Sequence, residues 1–215
     1  MSVVIPFSQA LRERTQAVHT ETESAAFMTE LLSGKRSRED YIALVGQQYY
    51  IYEALEAVAD AMQDDPVARP FISRKLTRLP AIEADLSFLI GEGWREEVHP
   101  LPSTSRYAQR IREVEGWAGG FVAHHYTRYL GDLSGGLIIR NLLTRQFGFE
   151  TNGIGFYIFA EIAEPKRFKD VYRTQLDEAP WDDAERDRVV EEVTRAYRFN
   201  ADLFADLAEA TATAA

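Results

Sequence analysis

Three glycines within six positions, Gly131, Gly135 and Gly136, interrupt a stretch that otherwise reads as one long helix. Phe121-Val122-Ala123-His124-His125-Tyr126 precedes them and Leu137-Ile138-Ile139-Arg140-Asn141-Leu142-Leu143 follows. Each glycine inside a helix costs ~1 kcal/mol relative to alanine, so the three together cost roughly 2–3 kcal/mol. A fold that keeps such a defect needs the helix backbone to approach, or bend around, another helix or a flat ligand. Gly131 and Gly135 are four apart and share a face, which leaves a patch free of side chains. Asp132 lies about 100° round the helix from Gly131, and Arg128 stands four residues before it. On spacing alone, a close helix crossing with ordinary Arg128–Asp132 ion pairing is the more economical explanation.

Helical periodicity dominates the rest of the chain. Ser8 reads as the cap of a helix reaching about Glu23, and a short second helix covers Phe27 to Leu32 and stops at Gly34. Ser37-x-x-Asp40 has the form of a capping box, opening a long helix through Tyr41, Leu44, Val45, Tyr52, Leu55, Val58 and Met62. Pro66 and Pro70 end it, and residues 72–90 read as a further helix that begins or bends near Pro80. HPLPSTS (99–105) reads as loop, with helix from about Ser103 to Glu115. The glycine-interrupted helix spans roughly 117–147, another spans 165–178, and Asp182-x-x-Glu185 opens a last one to about Glu209. IGFYIFAEI (154–162) fits a buried strand or a helix equally well, and the tail ATATAA, from about residue 210, reads as frayed. There is no repeat and no alternating strand series. The expected architecture is all-α, a single multi-helix domain over residues 1–215.

Composition narrows the function. Apolar residues make up 46% and charged residues 27%, ordinary values for a water-soluble domain. No apolar run approaches the ~18 residues of a membrane span, and the N-terminus lacks the pattern of a secretory signal. The absence of cysteine excludes disulfides, thiolate metal ligands, iron–sulfur clusters and covalent haem attachment. A net charge of −10 argues against nucleic acid. A cytoplasmic protein is expected.

Several residues suggest chemistry without deciding it. His19 has Glu23 at i+4, where a carboxylate orients an imidazole as behind many metal-bound histidines. Arg12 lies about two turns, ~10.5 Å, earlier on the same face. A metal-binding stripe and a solvated stripe look alike at this level. Lys166, Arg167, Lys169 and Arg173 place four cations in eight residues. Lys169 and Arg173 share a face, which suits an anionic ligand or plain solvent. His124 and His125 are adjacent, so both cannot face one ligand, and one is expected in the core. His99 sits beside Pro100 in a loop. Glu96-x-x-His99 is half of a di-iron motif and has no second half.

Taken together, these residues resemble the haem oxygenase family. VAHHYTRYLGDLSGG (122–136) is similar to that family's distal-helix signature and AVHTETESAAFM (17–28) to its proximal-helix region. FKDVYR (168–173) and FNADLF (199–204) are similar to its later helices, and the likeness runs from about Ala10 to Leu207. The resemblance implies haem b, as substrate and cofactor, held between a proximal helix and a kinked distal helix. It implies His19 as the axial iron ligand, oriented by Glu23, with the backbone at Gly131 and Gly135 against the distal haem face. Asp132 would organise a water network with Tyr52, Arg128 and Asn200. Arg12, Lys169 and Arg173 would hold the propionates, with Tyr126 beside the macrocycle or a propionate. The implied reaction uses dioxygen to cleave haem at the α-meso carbon, giving biliverdin IXα, ferrous iron and carbon monoxide. Electrons would come from a ferredoxin with its reductase, or from a flavin reductase. A monomer without a membrane anchor is the simplest form.

Three positions depart from the family pattern. Leu137 replaces the glutamine that usually follows the double glycine, which alters local packing. Gln16 and Asn141 stand where animal members are often basic and receive the electron donor, so the donor stays open. A non-catalytic haem carrier or sensor on the same fold is the competing reading. Asp132 opposes it, because an inert carrier has no use for a proton-relay carboxylate there. Among other helical enzymes, a thiaminase-like one lacks its cysteine here and a di-iron one lacks its second motif.

Overall fold

The computed structural model describes residues 5–212, and no strand occurs among them. The helices are α1 (Phe7–Glu23), α2 (Ala26–Leu32), α3 (Arg38–Ala61), α4 (Leu79–Ile90), the one-turn α5 (Trp94–Glu97), α6 (Pro102–Glu113), α7 (Ala118–His125), α8 (Gly131–Phe147), α9 (Pro165–Glu178) and α10 (Asp183–Ala212). A π turn, Tyr126–Leu130, joins α7 directly to α8. The expected all-α fold is what forms.

Local chemistry accounts for most boundaries. Ser37 and Asp40 form the full capping box at the start of α3: each side chain bonds the other residue's backbone N–H, at 3.1 and 2.9 Å. Pro102 and Pro165 open α6 and α9, positions where a missing N–H costs nothing. Asp182 accepts from the Glu185 N–H at 2.8 Å ahead of α10.

Ser8 is a correction. Pro6 precedes α1 and Ser8 lies inside it, with its N–H and hydroxyl both directed to Asp177 of α9, at 2.7 and 3.1 Å. A carboxylate from another helix thus satisfies the orphan donor that a local cap would have served.

Segment 154–162 is neither strand nor long helix. It holds one 3₁₀ turn, Gly155–Tyr157, whose backbone is served by side chains. Asp85 accepts from the Gly155 and Phe156 N–H groups at 2.9 and 2.8 Å, while buried Arg78 donates to the carbonyls of Phe156 and Ile158 at 3.2 and 2.8 Å. Satisfied in this way, the segment needs no ladder partner. α10 continues to Ala212, and the Thr211 hydroxyl accepts from Arg36 at 2.7 Å; residues 213–215 lie outside the described part.

α3 and α10 run through the middle of the molecule. α3 packs on α4, α6 and α7, and α10 packs on α1, α2, α6 and α7. Between them lies an apolar core that includes Leu11, Phe27, Ile51, Leu55, Phe121, Val193 and Leu203, all essentially buried. Arg110 of α6 and His124 of α7 converge on Glu192 of α10 at 2.8 and 3.0 Å, a polar brace at one edge of that core.

The irregularity in the distal helix sits one turn earlier than its glycines suggest. Gly131 itself has helical angles, φ −61° and ψ −52°, and the distortion is the preceding π turn. Close helix packing by glycine does occur, but at Gly119, while Gly120 is covered by the ring of Trp117 at the start of its own helix. A Cβ at Gly119 would come within 2.9 Å of Val189 on α10, and one at Gly120 would collide with the Trp117 ring.

Candidate functional site

A cleft opens between α1 and α8, roofed by α2 and α10. It has two adjoining lobes of about 320 and 370 Å³, both lined by His19, Glu23, Gly131, Gly135 and Tyr197. Volumes of ~300–1,000 Å³ are typical of small-molecule and cofactor sites. A Cβ added to Gly131 or Gly135 would meet no other element within 4 Å. The glycine face therefore looks into open space, and the helix-crossing explanation fails at these two positions.

His19 faces this patch from α1. Glu23 Oε1 lies 3.4 Å from its Nε2, and the ring packs edge-on against Tyr197 with centroids 5.1 Å apart. The i+4 carboxylate thus lies beside one ring nitrogen of the imidazole.

The first lobe is mostly apolar, with Met28, Leu32, Ile138, Ile139 and Phe204 along it. Its inner wall carries Arg128, Asp132 and Asn200. Tyr52, fully buried behind that wall, donates its hydroxyl to Asp132 Oδ2 through a short hydrogen bond. Arg128 does not pair with Asp132. Its guanidinium forks instead to Asn200 Oδ1 at 2.6 Å and to Gln48 Oε1 by a short bond. The π turn removes the regular i,i+4 relation that would have joined Arg128 to Asp132.

The electrostatics follow from burial. Desolvation raises the Asp132 carboxyl above the usual carboxylate range, against the Arg128 charge and the Tyr52 hydrogen bond. Tyr52 is pushed well above its ordinary value by burial and stays a donor. Burial also works against the Arg128 cation, but Tyr52 and Asp132 overcome it and raise the group further. The result is a carboxyl raised by desolvation, on the same wall as a permanently charged guanidinium.

The second lobe is polar. Arg12, Gln16, Tyr126, Ser134 and Arg173 line it. Burial raises the Tyr126 phenol, opposed by the charges of Arg173 and Arg12, which places both cations close to it. Lys169 stands at the rim and donates to Ser134 Oγ at 2.9 Å, and Arg173 bonds Asp170 at 2.8 Å. Arg12 has no ion-pair partner among the described residues.

The family model for Heme oxygenase matches residues 5–206. The chain belongs to the haem oxygenase family. It is 37% identical to heme oxygenase 1 of a Nostoc species over 199 residues, covering 92% of this chain and 84% of that one. To human heme oxygenase 1 it is 36% identical over 206 residues, covering 94% and 72%. The structure resembles the crystal structure of heme oxygenase-1 from Synechocystis in complex with heme, with a TM-score of 0.89 at 34% identity over 97% of each chain. It is also similar to the heme oxygenase of Leptospira interrogans, with a TM-score of 0.88 at 32% identity, covering 93% and 98%.

Haem oxygenases act on a macrocycle that is flat, apolar over most of its area and anionic along its propionate edge. The cleft fits each property. Its glycine wall admits a flat group, its first lobe is apolar, and its second gathers Arg12, Arg173 and Tyr126 with Lys169 at the rim. A larger cavity of about 630 Å³ lies behind the π turn, and none of the sequence-predicted site residues lines it.

The remaining histidines are accounted for by the core. His124 and His125 are both buried, one more than expected: His124 bonds Glu192, and His125 Nδ1 lies 2.9 Å from the Tyr172 hydroxyl. His99 lies in a loop just past α5, and its carbonyl accepts from Gln47 at 3.1 Å. No cluster of metal-ligating residues of the di-iron kind occurs among the described residues. Of the departures, Leu137 is 63% exposed and does not line the cleft, Gln16 lines the polar lobe, and Asn141 is exposed. Sequence reasoning missed Gln48 and Ser134. Gln48 carried a signal, since it lies one turn before Tyr52 on the same face.

Proposed function

We propose that the chain is an active haem oxygenase, binding haem as substrate and prosthetic group in the α1–α8 cleft and cleaving it oxidatively to biliverdin. The observation that carries this reading is the open glycine face of α8, with the Asp132 carboxyl at its edge and His19, with Glu23 3.4 Å from its ring, facing it. The haem supplies the iron that activates dioxygen and the porphyrin carbon that is oxidised, and the products are biliverdin, ferrous iron and carbon monoxide.

The chain's residues divide the remaining work. His19 would hold the haem iron, with the Glu23 carboxylate beside its ring. A neutral imidazole lacks the electron push of a thiolate. Gly131 and Gly135 allow the macrocycle to lie against the α8 backbone. Asp132 uses Oδ2 to accept from Tyr52, which leaves Oδ1 to hand a proton through water toward the glycine face. Arg128, tied to Asn200 and Gln48, keeps that wall rigid and charged without neutralising Asp132 by contact. Arg12, Lys169 and Arg173, with Tyr126 beside them, would hold the propionates and so limit how the ring can sit in the cleft. Cleavage at the α-meso carbon, giving biliverdin IXα, is the regiochemistry we assign to that arrangement. Electrons come from a ferredoxin with its reductase or from a flavin reductase. No described helix is long and apolar enough to cross a membrane. We assign the protein to the cytoplasm, as a monomer.

Titration with haemin tests the site. The chain should bind one equivalent and give a histidine-ligated spectrum. His19→Ala should lose that spectrum, and an unchanged spectrum and affinity would overturn the ligand assignment.

A further inference from the structure

Ser134 lies in the first turn of α8 and lines the polar lobe beside Arg12, Tyr126 and Arg173. Its hydroxyl donates to the Leu130 carbonyl at 2.7 Å. Leu130 is the last residue of the π turn, where the regular α-helical pairing is interrupted. With its single proton committed there, Ser134 Oγ acts toward every other neighbour as an acceptor. It accepts from Lys169 Nζ at 2.9 Å. An ammonium has three N–H groups, so two remain for a ligand. Lys169, which springs from α9, is thus drawn across to α8 at the mouth of the polar lobe. Arg173, one turn further along α9, is held differently, by the Asp170 carboxylate at 2.8 Å.

We propose that Ser134 is a positioning residue for haem, holding Lys169 over the polar lobe in the geometry that receives a propionate. The inference rests on the reading of the cleft as a haem site. A long lysine side chain loses rotamer freedom when a ligand fixes it. Here Ser134 imposes that order before the ligand arrives. Lys169 can then bind a carboxylate through its free N–H groups without leaving Ser134, and a charge-assisted bond is about twice as strong as a neutral one. Arg173 already has the Asp170 carboxylate against its guanidinium, so part of its charge is balanced before a propionate arrives and it gains less. The Ser134–Lys169 pair therefore anchors the propionate edge, while Arg173 adjusts it.

Haemin release to a haem-scavenging globin, followed by absorbance, tests this without turnover. Wild type, Ser134→Ala, Lys169→Met and the double variant are compared, with haemin dimethyl ester as the ligand lacking carboxylates. Ser134→Ala should release haemin about 3- to 10-fold faster, the scale of one ordered side chain. Ser134→Thr, which keeps the hydroxyl, should restore the wild-type rate. The double variant should release haemin no faster than Lys169→Met alone, and the ester should leave all four proteins at one rate. If Lys169→Met accelerates release and Ser134→Ala does not, or if the serine effect persists in full without Lys169, the inference about Ser134 is overturned. If wild type releases haemin and its ester equally fast and Lys169→Met changes nothing, the propionate reading of the polar lobe falls, and the role of Ser134 with it.

Discussion

Replacing Gly135 by alanine should stabilise the ligand-free protein while impairing its chemistry. Gly135 lies in α8 with no positive φ, and a Cβ there meets no other element within 4 Å. No steric cost therefore opposes the gain in helix propensity, which is about 0.5–1 kcal/mol per glycine replaced. Gly131→Ala has the same open surroundings, so the double variant should gain about 1–2 kcal/mol. For a chain of this size each kcal/mol raises Tm by roughly 2–4 °C. Two other glycines serve as controls of opposite sign. A Cβ at Gly46 would stand 2.7 Å from Val98 Cγ1, and one at Gly120 would strike the Trp117 ring, so alanine should destabilise at both. On the proposed reading, the new methyl of Gly135→Ala would occupy the face against which the macrocycle lies. A displacement of order 1 Å at a reacting centre costs up to about 100-fold in rate. Thermal unfolding of the ligand-free variants, followed by circular dichroism, and biliverdin formation, followed by absorbance, give the two readouts. A lower Tm for Gly135→Ala, or unimpaired turnover, would refute the argument that this glycine is kept for a flat substrate.

Other expectations follow from the same geometry. Asp132→Ala should keep haem binding, because the residue is not a ligand, but abolish most biliverdin formation; undiminished product would remove it from proton delivery. Charge reversal at Arg173 should alter the mixture of biliverdin isomers, and an unchanged mixture would take Arg173 out of the propionate clamp. Burial pushes the Glu192 carboxyl up, but the hydrogen bonds from His124 and Arg110 overcome it and bring it down to about 2 from 4.5. A lowered carboxyl stabilises the fold fully above pH 4.5 and loses that contribution as the pH falls toward 2. At 1.36 kcal/mol per pH unit this is of order 3 kcal/mol. Glu192→Gln should lower stability at neutral pH by that order and flatten the acid limb of the stability curve, and parallel acid limbs in the two proteins would contradict it.

The all-α fold was legible because helix starts are written locally. Ser37 and Asp40, Pro102 and Pro165 each mark a boundary through chemistry within one turn. Ser8 misled for the opposite reason: its partner, Asp177, is far away in sequence, and no local pattern announces it. Segment 154–162 stayed ambiguous because Asp85 and Arg78, both distant, satisfy its backbone. The π turn has no compositional signature of its own, so the distortion was attributed to the glycines that follow it. At the site, helical spacing puts Glu23 beside His19 and Gly135 on the face of Gly131, and says nothing of what those faces meet. The non-pairing of Arg128 with Asp132 could not, since it depends on the π turn and on Asn200 and Gln48 arriving from other helices. Spacing also could not distinguish glycines that pack from glycines that line a cleft. Gly119 and Gly120 do the first and Gly131 and Gly135 the second, a difference only the surroundings reveal.

Turnover by the purified chain decides whether this cleft is a catalytic one. Supplied with haemin, dioxygen and a ferredoxin with its reductase, the protein should convert bound haem to biliverdin and release carbon monoxide in equal amount. Haem that stays bound and intact under those conditions, and equally so with a flavin reductase as donor, would contradict the account and leave a haem carrier in its place.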